Sequence, residues 1–360
     1  MTTGSASSIG QTGATLSASY SEATATPAEV RFEYGTSAGV LDRTAYFNDG
    51  GLGYPTGSFS VTVSSLSPST KYYYRAVLQV GEKEFAGDVM SFTTLEASQS
   101  PVPGWLELPA YTGGDDYING HFGSGKSRNY SYLFDKTMYA ALWSAYPLTG
   151  SHMSGSSSYK TWNYNPDIPH QYQIDVQSGS YGSNYNAGSY SRGHLVPSAD
   201  RTGSETLRKP IYYLSNQTPQ IQTRFNDGVW NSLEGAIRGA VPSNDTLYVV
   251  TGISFRKVGG SETIKYLTST TVTPASVPVA NYFWKVVLKV KRNSSGEVTS
   301  ASSIGFWFEH KAYESGTYTD FAVSVDQIEQ YTGFDLFANL PDSVESASET
   351  NSSWTTFRNF

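Results

Sequence analysis

Short runs that alternate hydrophobic and polar residues, separated by turn residues, dominate the first 95 positions of the chain. These runs are ATLSASYS, AEVRFEYGTS, GSFSVTVSSL, TKYYYRAVLQV and GDVMSFTTL. A period of two in short, regularly spaced runs is typical of β-strands that bury one face. The pattern therefore predicts an all-β sandwich over residues 1–95.

One motif in this region makes the prediction more specific. Leu66, Pro68, Thr70 and Tyr72 have the L-x-P-x-T-x-Y spacing of a tyrosine corner, in which a buried ring bonds backbone upstream through its hydroxyl. On this motif and the strand pattern, residues 1–95 resemble a fibronectin type III module. The resemblance implies a spacer or docking module, and a specific ligand-binding role is the alternative.

The pattern changes after residue 95. Residues 96–109 contain three prolines among small residues and predict a linker. Beyond it, longer apolar strand candidates alternate with helix candidates; the strands are 128–148, 245–255 and 281–292, and the helices are 223–241 and 325–333. This order predicts an α+β domain over residues 110–360, with a mixed or antiparallel sheet and flanking helices.

Composition excludes several classes of protein. The chain has no cysteine, so a disulfide framework, a thiolate zinc site and a cysteine nucleophile are all excluded. Its formal net charge of −7 argues against coating nucleic acid through overall charge, but not against a local basic cleft. No apolar run reaches the length of about 18 residues that spans a membrane. Abundant Tyr, Ser and Asn lead us to expect a secreted, periplasmic or cell-surface protein whose signal peptide has been removed.

The run SRGHLVPSADR (191–201) contains His194, one of only five histidines. Strand candidates lie on both sides of the histidine, the second being PIYYLSNQTPQ (210–220), and the first helix candidate follows. Asn226 begins the face of that helix which carries its apolar residues. Glu234 and Arg238, on the shoulder of this face, are four residues apart and can pair.

These residue types suit hydrolysis of a phosphodiester. Neutral imidazole accepts a proton from water near neutral pH, which makes His194 a candidate base. An amide oxygen from Asn226 plus waters is a sparse but reasonable site for a hard divalent cation. Arg192 or Arg238 would contact phosphate. Each assignment has an alternative that remains open at this point. His194 would then be a structural histidine, Asn226 would bond backbone, and Glu234 and Arg238 would form a surface pair.

Three segments together, SRGHLVPSADR, YYLSNQTPQ and FNDGVWNSLEGAIR, resemble the DNA/RNA non-specific endonucleases. These are ββα-metal nucleases with the motifs D-R-G-H, N-x-x-P-Q and N-x-x-x-W-x-x-L-E. Residues 328–345 are similar to the family's C-terminal I-E-x-x-T-G-x-D stretch, so the resemblance covers about 105–358. It implies a ββα-metal domain that cleaves DNA and RNA without sequence preference, with Mg²⁺ as cofactor and Mn²⁺ as its substitute.

The resemblance also implies a role for each matching residue. His194 falls on the general base, Asn226 on the single protein ligand of Mg²⁺, and Glu234 on the carboxylate that holds metal-bound water. Arg238 falls on an arginine near the phosphate and leaving group, and Asn216 on an asparagine that supports the site. Lys160 takes the place of an upstream arginine when Trp162 is aligned.

One position departs from the family pattern, because Ser191 replaces the aspartate before R-G-H. Serine removes a charge there without removing the base. Asp200 and Arg201 are expected to pair structurally, and His121, His152, His170 and His310 are expected to be non-catalytic. The alternative to an enzyme is an adhesion or binding protein in which the sandwich carries the function and the nuclease-like domain is inactive. Oligomeric state is not readable from the sequence.

Overall fold

The structure, a computed structural model, divides the chain into two compact units, Met1–Ser100 and Pro101–Phe360. It describes every residue except 8, 10–12, 22, 24–26, 28, 48–54, 64–65, 68–69, 95–103, 124–127, 175–180 and 182–188. Pro68 of the proposed tyrosine corner and most of the proposed linker lie outside the described residues. Within the described part of the chain, no helix is long and apolar enough to cross a membrane.

The first unit consists of antiparallel strands in two sheets. The strands are β1 (Thr2–Thr3), β2 (Ala14–Tyr20), β3 (Glu29–Gly35), β4 (Arg43–Tyr46), β5 (Gly57–Val63), β6 (Lys71–Val80), β7 (Lys83–Ala86) and β8 (Met90–Thr93). One sheet has the order β1-β2-β5 and the other β4-β3-β6-β7, with β8 also paired to β6. Alternate residues from both sheets, such as Leu16, Phe32 and Tyr74, share one core.

The tyrosine-corner motif adopts the expected local geometry. Tyr72 is buried, and its hydroxyl accepts a hydrogen bond from the backbone N–H of Ser67 at 2.9 Å. Leu66 is buried beside it in the same core. The all-β nature of this unit is thus confirmed, while the more specific likeness to a fibronectin type III module stays a prediction.

The second unit is built on a seven-stranded antiparallel sheet with helices on both faces. Its strands are β9 (Tyr117–Phe122), β10 (Tyr130–Asp135), β11 (Ala140–Leu148), β12 (Tyr190–His194), β13 (Gln217–Ile221), β14 (Leu247–Ser254), β15 (Lys265–Thr268), β16 (Ser276–Val279), β17 (Tyr282–Arg292), β18 (Val298–Glu309) and β19 (Ala322–Val323). Its helices are α1 (Gly150–Met153), α2 (Glu205–Ile211), α3 (Asn231–Arg238), α4 (Val325–Thr332), α5 (Asp342–Ser348) and α6 (Trp354–Asn359). The large sheet has the order β19-β18-β17-β14-β11-β10-β9, and β12 pairs with β13 in a separate two-stranded sheet.

The large sheet is buried on both faces, and this explains why its strands are almost continuously apolar. Phe283 and Val287 of β17 pack in a core that includes α3, whereas Trp284 and Leu288 pack in a second core that includes α4. Successive side chains of a strand point to opposite faces, so this alternation assigns each helix to its own face. Helix α3 therefore covers one face of the sheet and α4 covers the other.

Three predicted elements differ from the structure. The strand candidate 128–148 forms two paired strands, β10 and β11. The strand candidate 210–220 is a strand only from Gln217, because α2 continues to Ile211 and the side chain of Asn216 bonds the backbone nearby. The helix candidate 223–241 is regular only over α3. The preceding segment Gln222–Trp230 has helical turns interrupted by non-helical backbone, including Arg224 at a φ of 62°.

Candidate active site

His194 ends β12, where the chain leaves the two-stranded sheet. Antiparallel pairing places it opposite Gln217 of β13. Its ring lies between Trp162 and Tyr212, with centroid separations of 4.7 Å and 5.0 Å. The preceding Gly193 leaves room for the Gln220 side chain of β13, because a Cβ there would lie 2.4 Å from the Oε1 of Gln220. Strand pairing and ring contacts together fix the orientation of the imidazole.

The Nε2 of His194 is shielded from solvent and has no hydrogen-bond partner among the described residues. Burial, followed by the positive charges of Arg208 and Arg192, lowers the pKa of His194 to about 3. The ring is therefore neutral throughout the range around neutral pH, with a lone pair able to accept a proton. An unpartnered buried nitrogen is costly and calls for an explanation, of which a catalytic role is one.

Asn216 holds the chain that follows His194. Its Oδ1 accepts a hydrogen bond from Val196 N at 2.9 Å, and its Nδ2 donates to Val196 O and Ile211 O. The side chain is fully buried. Asn216 thus braces the loop behind the histidine and does not line the cavity in front of it.

Asn226 lies in the interrupted helical segment that follows β13. Both described hydrogen bonds of its side chain are donated by Nδ2, to Ser191 Oγ at 3.0 Å and to Gln222 Oε1 at 3.0 Å. Ser191 in turn donates to the backbone oxygen of Gln220 at 3.2 Å. These bonds orient the amide and leave Oδ1 to accept another partner.

Glu234 and Arg238, on α3, do not pair with each other as the sequence suggested. Glu234 Oε1 lies 3.8 Å from the Nζ of Lys285, a fully buried lysine that also donates to Thr251 Oγ1 at 2.6 Å. Burial raises the pKa of Glu234 and lowers the pKa of Lys285. The charges of the Glu234 carboxylate and the Lys285 ammonium group therefore stabilise each other in a position where water does not solvate them.

Arg238 is instead held by Asp200. Its Nη1 donates to Asp200 Oδ1 at 3.0 Å, while Asp200 Oδ2 accepts from the hydroxyl of Tyr146 at 3.0 Å. Asp200 and Arg201 are both buried and in contact, but the Arg201 guanidinium bonds Asn129, Pro147 O and the backbone oxygen of Asp200, and not its carboxylate. One edge of the Arg238 guanidinium is anchored, and further N–H groups remain for another anion.

A cavity of about 200 Å³ brings most of the candidate residues together. Arg192, His194, Asn226, Glu234 and Arg238 all line it, with Asn231. Asn216 lies behind it, and the exposed Lys160 is not among its lining residues, so a phosphate role for Lys160 stays a prediction. The guanidinium of Arg192 lies over the Trp162 ring, 5.5 Å from its centroid.

Sequence reasoning missed Asp200, Lys285 and Asn231 as members of this site. Lys285 carried a usable signal, since it stands between Trp284 and Val286 in the apolar first part of β17. Such a residue is rarely buried unless it is paired.

The donor atoms of the cavity suit a hard divalent cation. Asn226 and Glu234 offer an amide oxygen and a carboxylate, the oxygen ligands that Mg²⁺ prefers, and the remaining space admits the waters that Mg²⁺ retains. Among the described residues, His194 belongs to no group of three or more potential metal-ligating side chains, and it fits the part of a base better than that of a ligand. Residues and cation are therefore compatible.

The site consists of two paired β-strands followed by a helix, with a histidine on one strand and polar residues on the helical side. This arrangement defines the ββα-metal class of nuclease sites. The family model for the DNA/RNA non-specific endonucleases matches residues 116–343, and the chain belongs to that family. It is a nucleic-acid hydrolase.

Several characterised nucleases are similar to the second unit. Nuclease C1 of Cunninghamella echinulata var. echinulata is 27% identical over 206 residues, which cover 54% of this chain and 77% of that protein. The nuclease of Serratia marcescens is 29% identical over 209 residues, 58% of this chain and 72% of that protein. The crystal structure of the EndoG/EndoGI complex matches with a TM-score of 0.50 at 19% identity, over 65% of this chain and 91% of that one, which supports the fold.

Proposed function

We propose that the protein is an Mg²⁺-dependent endonuclease that hydrolyses the phosphodiester bonds of DNA and RNA without sequence preference. The observation that carries the proposal is the convergence of His194, Asn226, Glu234 and Arg238 on one cavity. These residues come from a strand, an interrupted helical segment and a helix, and only the tertiary fold brings them together. The nuclease activity stated for its relatives points the same way.

His194 acts as the general base in this proposal. Its Nε2 takes a proton from a water molecule, whose oxygen then attacks phosphorus, and the ester oxygen of the leaving nucleotide departs with a proton from solvent. The low pKa of the free histidine keeps the lone pair available before substrate binds. A phosphate anion entering the cavity stabilises the imidazolium and so raises the proton affinity when it is needed.

The other lining residues hold the phosphate and the cation. Asn226 Oδ1 and the Glu234 carboxylate would hold hydrated Mg²⁺, which supplies positive charge to the developing phosphorane and leaving oxygen. Arg238, anchored by Asp200, donates its free N–H groups to a phosphate oxygen. Arg192 provides a second guanidinium on the same cavity wall.

The test is cleavage of supercoiled plasmid DNA and of RNA, with Mg²⁺ or with EDTA, between pH 5 and 9. We expect cleavage of both substrates with Mg²⁺ and none with EDTA. His194→Ala should lower the rate by about 10²–10⁴, the usual contribution of a general base. His170→Ala, which removes an exposed histidine stacked on Tyr164 outside the cavity, is the matched control and should cleave normally. A loss of less than about tenfold in His194→Ala would mean that another group is the base.

The alternative, a binding protein whose nuclease-like domain is inactive, predicts no cleavage by the wild type under any of these conditions. An intact constellation of base, amide, carboxylate and guanidinium in one cavity favours the enzyme.

A further inference from the structure

Three carboxylates meet on the side of the large sheet opposite the His194 cavity. Asp326 and Glu329 lie one turn apart on α4, and Glu349 directly follows α5. Each offers one oxygen to a group in which all these oxygens lie within 4.8 Å of one another. Because α4 and α3 pack in different cores, this C-terminal carboxylate triad is separate from the candidate active site.

Hydrogen bonds to the backbone bring the three positions together and orient one of the carboxylates. The backbone oxygen of Glu349 accepts a hydrogen bond from Val325 N at 2.9 Å, which ties the end of α5 to the start of α4. Glu329 Oε1 accepts from Leu336 N at 2.7 Å, so this carboxylate is oriented by the loop after α4. The positions of the triad are therefore held by the backbone, and the Glu329 carboxylate is also held in its orientation.

Glu349 is the member of the triad with a buried carboxylate oxygen that lacks a hydrogen-bond partner in the described part of the chain. It is only 7% exposed, and its Oε1 is shielded from solvent with no hydrogen-bond partner among the described residues. A buried carboxylate oxygen without a donor is strongly unfavourable, and each such case in a native fold needs an explanation. A bound cation supplies one, because it would satisfy this oxygen directly.

No neighbouring cation offsets the charge of the triad. Across the described part of the chain, the recorded ion pairs include none to these three residues. The charged groups acting on Glu349 are all carboxylates, among them Glu345 and Asp335. The N-terminus of α4 contributes about half a positive charge, which offsets only part of this repulsion.

We propose that Asp326, Glu329 and Glu349 bind a hard divalent cation such as Ca²⁺, which fastens the C-terminal helices to each other. The three oxygens lie within 4.8 Å of one another, close enough to contact one ion together, since Ca²⁺ binds oxygen at about 2.3–2.6 Å. Three carboxylates and a few waters supply the six to eight oxygens that Ca²⁺ takes.

Thermal unfolding of the full chain, followed by tryptophan fluorescence with CaCl₂ or with EDTA, tests the proposal. All seven tryptophans lie at or beyond residue 105, so this signal reports the second unit. Ca²⁺ at about 100 times its Kd should raise the Tm by roughly 5–10 °C. Glu349→Gln, which keeps the shape and removes the charge, should unfold at or above the wild-type Tm in EDTA and should gain nothing from Ca²⁺.

Two matched variants separate this site from others. Glu345→Gln removes a nearby carboxylate outside the triad and should keep most of the Ca²⁺ response. Asn226→Ala removes the ligand proposed for the catalytic cation and should also keep it, so the result is independent of the proposed function. Asp326→Asn should lose the response in the same way as Glu349→Gln, which covers the case in which one variant folds poorly.

Three outcomes would overturn the proposal. These are no Tm shift in the wild type, a full shift in Glu349→Gln and Asp326→Asn, or a shift that disappears in Asn226→Ala. Equal loss in Glu345→Gln would also count against it, since it would show a diffuse effect of negative charge and not a defined site.

Discussion

Ser191 bonds the amide of the proposed metal ligand and stands at the position of the aspartate in the D-R-G-H motif. Its hydroxyl accepts from Asn226 Nδ2 and donates to Gln220 O. An aspartate could still accept from Asn226 but could not donate to the Gln220 carbonyl. Serine therefore keeps the orientation of Asn226 while it removes one negative charge from the neighbourhood of the proposed cation.

Ser191→Asp should strengthen binding of the catalytic cation. The added carboxylate attracts a divalent ion, and a Coulomb term of this kind lowers the Mg²⁺ concentration for half-maximal cleavage by up to about tenfold. Titration of the cleavage rate with MgCl₂ measures this directly. Ser191→Asn, of similar size but uncharged, is the control and should not lower that concentration. An unchanged Mg²⁺ requirement in Ser191→Asp would show that this position does not influence the cation.

Asn216 shows how a buried amide can support a site without touching substrate. Asn216→Ala leaves three backbone groups, Val196 N, Val196 O and Ile211 O, without their partners. The loss should reduce the free energy of unfolding by about 3 kcal/mol and also the cleavage rate, because the loop behind His194 loosens. Urea unfolding followed by tryptophan fluorescence gives the first quantity.

Asn119→Ala is the matched comparison for Asn216→Ala, since the Asn119 side chain makes one described hydrogen bond, to Thr112 O, and is only half-buried. It should cost about 1 kcal/mol or less. Similar losses for both variants would contradict the bracing role assigned to Asn216.

The cavity residues that belong to a sequence motif could be predicted from the spacing of that motif. Contacts between residues that are distant in the sequence could not be predicted. His194, Asn226 and Glu234 stand at characteristic intervals in the sequence. Asp200, by contrast, meets Arg238 across 38 residues, and nothing local distinguishes this contact from a pair with the adjacent Arg201. The i, i+4 spacing of Glu234 and Arg238 is compatible with an ion pair between them. In the structure they pair instead with Lys285 and Asp200, which lie on other elements.

Strands and helices could be predicted from the sequence where a single local pattern determines their position. β14, β17 and α4 lie within the predicted ranges, because long apolar runs and a helix N-cap at Ser324 with Gly333 after the last turn leave few alternatives. The segment Gln222–Trp230 misled the periodicity argument, because its apolar residues do pack on one side although the backbone between them is broken. The backbone of this segment is fixed by tertiary contacts, which cannot be predicted from the local sequence pattern.

His310 is one such contact, and it makes the stability of this element depend on pH. Its Nε2 accepts a hydrogen bond from Ile221 N at 2.8 Å, just before the interrupted segment, and its Nδ1 lies 2.8 Å from Ala280 O. Burial lowers the pKa of His310 to about 4. Since the unfolded chain binds the proton near pH 6.5 and the folded chain does not, stability is complete above that pH and is lost as pH falls towards 4.

His310→Gln should therefore weaken the acid sensitivity of the second unit. The wild type should lose about 2 kcal/mol of unfolding free energy between pH 7 and pH 5 through this histidine alone, and the variant should lack that contribution. Urea unfolding at the two pH values measures the difference. Lys311→Gln, an exposed neighbour, serves as control and should retain the wild-type pH dependence. Equal pH dependence in wild type and His310→Gln would show that the histidine is not held neutral by the fold.

The distribution of charge reconciles an acidic protein with a nucleic-acid substrate. Six of the 31 acidic residues lie in residues 325–349, a stretch with no lysine or arginine. This stretch includes α4 and α5, which belong to the face of the sheet opposite α3. Arg192 and Arg238 line the cavity on the other face. The net charge of −7 therefore says little about the surface that a phosphodiester would approach.

The second unit contains the whole proposed catalytic apparatus, and this predicts that it works alone. The cavity, the large sheet and both of its cores are formed by residues after position 104. A fragment of residues 101–360 should fold and cleave short DNA and RNA within about threefold of the full chain, because the described residues that line the cavity all belong to the second unit. The same fragment with His194→Ala controls for contaminating nuclease. A fragment that folds, as judged by tryptophan fluorescence, but cleaves more than tenfold more slowly would show that the first unit takes part in catalysis or substrate binding, and the linker predicted at 96–109 would then need another explanation than simple spacing.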